Sequence, residues 1–140
     1  MISPDKSAEA ALRPGLVGRA AIHVSEALTA PALGSGSIAV YATPAMVALM
    51  EQAAVDCVDR HLNPGEATVG VLLDVKHTAA TPPGLEVSAE ATLTAVDGRK
   101  LSFSIVARDA AGLIGEATHT RLVVDVARFE ARLAGRRQPG

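Results

Sequence analysis

Residues 43–58 read TPAMVALMEQAAVDCV, and this stretch decides the fold. Thr43 is a good N-cap, and Pro44 suits a first helical position, where its missing N–H leaves nothing unpaired. Met46, Val47, Leu49, Met50, Ala53, Ala54, Cys57 and Val58 then recur at helical spacing. Asn63-Pro64-Gly65 stops the pattern. The first three turns are apolar nearly all round. That predicts a helix buried on several sides rather than an ordinary surface helix.

What surrounds this helix reads as strand. Residues 16–28 contain a first strand, with Ala20, Ile22 and Val24 on one face. Residues 30–37 are rich in Gly, Ser and Pro and read as a loop of the kind that covers sites. After the helix, Val69, Val71, Leu73 and Val75 alternate with Gly70, Leu72, Asp74 and Lys76. A turn at Thr81-Pro82-Pro83-Gly84 follows. Leu85, Val87, Ala89, Ala91, Leu93 and Ala95 then mark the next strand. Asp97-Gly98 is a tight-hairpin signal, and Leu101, Phe103, Ile105 and Ala107 alternate after it. Residues 109–112 turn the chain into a last long strand over 113–126, with a short helix expected at 129–133. The expectation is α+β: one strand, one helix, then four strands in an antiparallel meander. A sheet of about five strands wrapped around one central helix is the compact solution. Such a sheet extends edge to edge in a dimer, which protects an exposed edge strand. The domain reading is a loosely ordered segment over 1–15, a single domain over 16–134 and a tail over 135–140.

Composition narrows the function. Of 140 residues, 49% are apolar, enough for a real core. The only aromatics are Tyr41, Phe103 and Phe129, so that core is aliphatic. A net charge of −2 disfavours nucleic-acid binding. Arg128, Arg132, Arg136 and Arg137 cluster late in the chain and read as a solvated helix end. Cys57 is the one cysteine, which excludes an intramolecular disulfide and predicts a buried thiol. No Cys/His spacing suggests zinc. No charged-then-apolar leader is evident, and no apolar run nears the ~20 residues of a membrane span. The expected location is the cytoplasm.

Five residues are candidates for chemistry. Glu51 shares a helical face with Val47, Ala54 and Val58, which places a carboxylate on an apolar stripe. Burying it is costly without a partner or a purpose. An arginine partner at the rim is the plainer alternative. His77 continues the face of Val69, Val71, Leu73 and Val75; a satisfied core histidine is the alternative there. Thr43 has the ordinary job of helix cap, yet it marks a helix N-terminus, where backbone N–H groups and the dipole favour a developing oxyanion. Gly70 lies mid-strand, where glycine weakens pairing unless something approaches the backbone closely. Arg121 shares a face with Ala117, His119 and Val123, and either pairs with Glu51 or Asp125 or binds a ligand. His23, His61 and His119 show nothing that raises them above ordinary structural histidines.

The run His77-Thr78-Ala79-Ala80-Thr81-Pro82-Pro83-Gly84 resembles a motif of the fluoroacetyl-CoA thioesterase-like family. Thr43 in TPAMVALMEQA, eight residues before Glu51, is similar to the same family, as are GEATVGVLLDVKHTAATPPGL and GRKLSFSIVARDAAGLIGEATHTR. The likeness covers roughly residues 15–133. It implies a hot-dog fold, a homodimer or a tetramer of two such dimers, and hydrolysis of an acyl-CoA substrate. Coenzyme A is then part of the substrate, and no further cofactor or metal is expected. It also implies that Thr43, Glu51 and His77 are catalytic and that Gly70 and Arg121 belong to the substrate pocket. In the family's type member, aromatic lid residues before the helix are associated with fluoroacetyl selection. Gly34-Ser35-Gly36-Ser37-Ile38 has none, which points to a broader short-chain or different acyl group. A hot-dog dehydratase or hydratase, or a non-catalytic acyl-CoA-binding module, are the competing readings.

Overall fold

A computed structural model describes residues 11–137, so the expected loose segment over 1–15 and the tail over 135–140 fall partly outside the described residues. Its elements are β1 (Val17–His23), α1 (Ala30–Leu33), α2 (Thr43–Val58), β2 (Glu66–His77), β3 (Glu86–Asp97), β4 (Lys100–Asp109), β5 (Gly112–Asp125) and α3 (Val126–Arg136). Short 3₁₀ turns cover Glu26–Leu28 and Asp59–His61.

The expected central helix is α2, and it starts one position earlier than its capping signal suggested. Ala42 holds the extended cap conformation and makes no side-chain cap bond, so Thr43 is already inside the helix. Met46, Leu49, Met50, Ala53, Ala54, Cys57 and Val58 are buried. Ala48, Gln52 and Asp56, four residues apart, stay exposed. The helix is therefore covered on a broad face but not all round. Its cover is the inner face of the sheet: Val87, Ala89, Ala91 and Leu93 on β3, and Leu101, Phe103, Ile105 and Ala107 on β4, each buried. Full burial of an aliphatic side chain stabilises by about 1.5–3 kcal/mol, so this interface supplies most of the fold's driving force. Cys57 is buried, as expected, and its thiol donates to the Leu16 carbonyl at 3.2 Å.

The sheet order is β1-β3-β4-β5-β2, antiparallel throughout. This corrects the expected four-strand meander. Only β3, β4 and β5 run in sequence; β2 lies beyond β5, and residues 78–85 carry the chain back across the sheet to β3. A hydrophobic alternation says which face a strand buries, not which neighbour it takes. In consequence β1 and β2 are the two edges among the described residues. β2 pairs only with β5, and no residue of its 12 is fully buried.

A bulge between Gly70 and Leu72 corrects a second expectation. The extra residue, Val71, flips the phase of the strand. Thr68 and Gly70 face inward before it, whereas Leu73, Val75 and His77 face inward after it. His77 therefore does not share a face with Val69 and Val71, and Val71 and Leu72 are exposed at 54% and 56%. Two smaller differences concern helices. The expected loop over 30–37 begins with the single turn of α1. The terminal helix starts earlier and runs longer than expected, capped by the Asp125 carboxylate, which accepts from the Arg128 N–H at 3.0 Å. Among the described residues no helix is long and apolar enough to cross a membrane.

β1 approaches α2 closely at Gly18. A Cβ there would collide with the backbone of Cys57 and Ala53. The Gly18 backbone angle is ordinary, so the cost of a side chain is pure overpacking. Gly18→Ala is expected to lower the denaturation midpoint by an amount equivalent to about 1–3 kcal/mol at unchanged denaturant slope. Gly135→Ala in α3, where a Cβ meets nothing within 4 Å, is expected to leave stability unchanged or slightly raised in the same urea titration.

Candidate active site

The five expected site residues fall into two groups. The first group is at the start of α2. Because Ala42 occupies the cap position, the Thr43 hydroxyl is free of capping and instead lies 2.8 Å from His77 Nδ1. His77 ends β2 and faces inward after the bulge. Its other ring nitrogen, Nε2, is buried and has no hydrogen-bond partner. Beside it, the Tyr41 ring meets the imidazole edge-on at 6.3 Å between centroids. The Tyr41 hydroxyl is likewise buried and unpartnered. Buried polar atoms without a partner are uncommon in native structures. These two border a pocket of about 370 Å³ lined by Ser35, Gly36, Ile38, Tyr41, Thr43, His77 and Ala79 among others. Burial pushes the Tyr41 phenol up to about 12. Burial also pushes the His77 imidazole down from its usual value, with the Ala79 backbone opposing in part.

The His-Thr-x-x-Thr-Pro-Pro-Gly run has a visible task here. The Thr78 and Ala79 N–H groups both donate to the Ile114 carbonyl, at 2.8 and 3.2 Å. The fully buried Thr81 gives its hydroxyl to Asp109 Oδ2 at 2.7 Å, and its carbonyl accepts from the Tyr41 N–H at 2.8 Å. The run thus fastens the end of β2 to the β4–β5 turn and to the chain entering α2. That fixes Tyr41, Thr43 and His77 against one another.

The second group lies on the same helix about 12 Å further on, at 1.5 Å per residue. Glu51, half-exposed, accepts from Arg121 Nη1 on Oε2 at 3.1 Å. Arg121 is buried, and it donates through Nε to Thr68 Oγ1 at 2.8 Å and through Nη2 to the Thr68 carbonyl at 3.0 Å. His119, 2% exposed, lies 3.2 Å from Arg121 Nη1 through its Nε2. Gly70 belongs to this group for a steric reason. A Cβ at Gly70 would sit 2.5 Å from Glu51 Oε2 and 3.2 Å from Arg121 Nη1. Any larger residue evicts the carboxylate.

One chain therefore brings Thr43 to His77, and Glu51 to Gly70 and Arg121, but it does not bring the two groups together. Glu51 is absent from the lining of the 370 Å³ pocket. Opposite Gly115 and Arg121, six residues apart on β5, His77 and Gly70 are separated by about 20 Å along the sheet. Three contributors were missed by reading the sequence. Tyr41 is the chain's single tyrosine and sits two residues before Thr43, a signal that was available. His119 shares the face of Arg121 by simple alternation. Thr68 was hidden, because the bulge moves it to the inner face.

The chain matches the family model described as fluoroacetyl-CoA-specific thioesterase over residues 24–127. The fluoroacetyl-CoA thioesterase of Streptantibioticus cattleyicolor is 46% identical over 94 residues, covering 67% of this chain and 68% of that protein. A solved structure of the fluoroacetyl-CoA thioesterase FlK superposes with a TM-score of 0.85 at 36% identity, covering 91% of this chain and 98% of that one. A Thermus thermophilus thioesterase superfamily member superposes at 0.81 with 27% identity, covering 89% and 94%.

The lowered His77 and His119 values set a sign for pH dependence. Both rings bind a proton more weakly folded than unfolded. Their contribution to stability is whole above the unfolded value near 6.5 and is lost as pH falls through the folded values. Unfolding free energy is expected to decline as pH drops from about 7 to about 5. The His77 ring, followed by NMR, is expected to titrate below its usual value.

Proposed function

The chain belongs to the fluoroacetyl-CoA-specific thioesterase family and is a thioester hydrolase with the hot-dog fold, and we propose that it hydrolyses a short acyl-CoA thioester at a site shared between two copies of the chain. The observation that carries this reading is the separation of Glu51 from His77 within one chain, together with the free edge of β2. An exposed 12-residue edge strand carrying Val71 and Leu72 on its surface is an invitation to pair. Antiparallel self-pairing about a two-fold axis near Leu73 or Asp74 sets His77 of one copy opposite Thr68 or Gly70 of the other. Residues directly opposite in an antiparallel pair point to the same side, and His77, Thr68 and Gly70 all point inward. His77 and its Thr43 partner then approach Glu51 of the second copy.

In that assembly each group has a defined part. The thioester carbonyl carbon is attacked either by Glu51 Oε1, giving an anhydride that water then opens, or by a water whose proton Glu51 or His77 takes. The C–S bond breaks in either route: a proton that His77 has taken from the attacking water passes to the leaving thiolate, whereas a thiolate displaced by Glu51 takes its proton from solvent and His77 takes that of the water that opens the anhydride. The Thr43 hydroxyl holds the imidazole through Nδ1 and so aims Nε2 into the pocket. Gly70 leaves room for the Glu51 carboxylate, and its backbone at the strand edge serves the developing oxyanion. Arg121 holds Glu51 in place. Glu51 stands mid-helix and paired with Arg121, which favours hydrolysis over the dehydratase reading.

The acyl group is set by the segment before α2. Residues 34–38 bring no aromatic side chain to the pocket, and Ile38 is 72% exposed. The cover over the pocket is therefore thin, and the substrate range extends beyond fluoroacetyl-CoA to other short acyl groups. Thiol release measured across a panel of acyl-CoAs is expected to show several hydrolysed substrates; activity on fluoroacetyl-CoA alone would sink this assignment.

The shared site makes a stoichiometric prediction. Glu51→Gln and His77→Ala homodimers are each expected to lose at least about a hundredfold in kcat. Mixed and re-equilibrated, the two variants form heterodimers in which one of the two sites keeps both an intact Glu51 and an intact His77. About a quarter of wild-type activity should return, since half the dimers are mixed and each carries one good site. Absence of recovery with heterodimers present by mass spectrometry would place both residues in one chain's site.

A further inference from the structure

Buried behind the Glu51–Arg121 pair is His119, which the reaction as described does not use. Its hydrogen-bonding fixes its chemical form. Nδ1 lies 2.7 Å from the Leu72 carbonyl oxygen, and a carbonyl only accepts, so Nδ1 carries a hydrogen. Nε2 faces Arg121 Nη1 at 3.2 Å, and a guanidinium only donates, so Nε2 carries none. The ring is thus a neutral imidazole in one tautomer, and its 4.0 Å separation from Glu51 Oε2 is not an ion pair. Burial favours the neutral form, the Arg121 charge acts in the same direction, and the Leu72 carbonyl and Glu51 oppose. Glu51 on α2 and Arg121 on β5 are the charged groups recorded against the ring. Phe103 of β4 packs on it at 5.9 Å between centroids, tilted by 33°.

Arg121 Nη1 has two N–H bonds and two acceptors within reach, His119 Nε2 and Glu51 Oε2. With Nε and Nη2 held by Thr68, the guanidinium is fixed in its plane. We propose that His119 is a positioning residue for Glu51: by accepting one Nη1 hydrogen it turns the other onto Oε2 and leaves Oε1 directed at the substrate. Its Nδ1–H anchors this arrangement to Leu72, immediately past the β2 bulge, at the strand edge where the second copy is placed. His119 therefore ties the carboxylate to the edge strand as well as to its arginine. This rests on the thioesterase reading above for its kinetic consequence, but not for its geometry.

The test compares His119→Phe with His119→Gln in the full-length protein. Phenylalanine keeps a ring against Phe103 but has no acceptor; glutamine places an oxygen where Nε2 was. His119→Phe is expected to lower kcat on the best acyl-CoA by about a hundredfold, the scale for a misplaced reacting group, with KM little changed. His119→Gln is expected to recover most of that loss. Wild-type kcat in His119→Phe, or equal losses in both variants alongside equal drops in melting temperature, would overturn the proposal in favour of a space-filling histidine. Nitrogen-15 NMR of the imidazole provides an arm independent of activity and of either variant's folding. A neutral ring protonated at Nδ1, together with a slowly exchanging Arg121 Nε–H, is expected at pH 7; the other tautomer or an imidazolium overturns the proposal. Should wild type release no thiol from any acyl-CoA, the thioesterase reading fails, and the NMR result alone decides the role of His119.

Discussion

The structure depends on burying one apolar helix within the curve of one sheet. α2 has too little polar surface to lie on the outside, and among the described residues one sheet covers it. The sheet must therefore bend around it, and two glycines set how tightly. At Gly18 the backbone of β1 presses against α2 at Ala53 and Cys57. At Gly70 the inner face of β2 comes so near that only a hydrogen fits beside the Glu51 carboxylate. The first contact holds the backbone of β1 against the backbone of α2, and the second leaves room for the end of the Glu51 side chain. Thr43 and Glu51 are placed by packing before any chemistry is asked of them.

That placement produces an electrostatic problem and its solution. A carboxylate at the margin of a core is costly to desolvate alone, and so is the guanidinium that would answer it. Arg121 is buried, but its hydrogen bonds to Thr68, Glu51 and His119 occupy most of its donors. Each partner comes from a different element: Thr68 from β2, Glu51 from α2, His119 from β5 itself. A network with members on three elements holds only when all three are in register. The bulge at Val71 is part of that register, since it lets Thr68 and Gly70 face inward on one side and His77 on the other.

Much of this was legible in the sequence because the signals were local. The helical spacing through Met46, Met50 and Ala54, the Asp97-Gly98 turn and the alternation in β4, β5 and β3 as far as Leu93 each report on a few neighbouring residues, and each was realised; Ala95, expected on the inner face of β3, is exposed because the register shifts between Leu93 and Ala95. What escaped was non-local. The position of β2 beyond β5 depends on how residues 78–85 cross the sheet, which alternation does not encode. The bulge escaped because Val69, Val71, Leu73 and Val75 alternate without a break in the sequence while the strand itself skips. The site shows the same division. Glu51, Gly70 and Arg121 were suspected one by one, and the structure places them together; Thr43 and His77 were likewise suspected and likewise placed together. The capping reading of Thr43 was wrong for a local reason: Pro44 permits a start one residue earlier, with Ala42 as the extended boundary residue. His119 gave no sign, because a histidine facing the core looks alike in sequence whether it fills space or accepts a hydrogen bond.

The two half-sites explain why an edge strand this exposed persists. Natural sheets blunt their edges, and β2 does so only weakly, with Asp74 and Lys76 beside Val71 and Leu72. In the proposed assembly that edge is where chemistry is completed, so a charge or proline that protected it would also separate Glu51 from His77. Within one chain the carboxylate meets Arg121 and Gly70, and the imidazole meets Thr43 and Tyr41. In the proposed mechanism the reaction draws on both groups, Glu51 from one copy and His77 with Thr43 from the other. On that proposal, activity follows the concentration of the paired state rather than that of the folded chain. In the proposed assembly, selection for the acyl group lies in the pocket of one copy and Glu51 in the other. Residues 34–38 can therefore change the substrate without disturbing the network that holds Glu51.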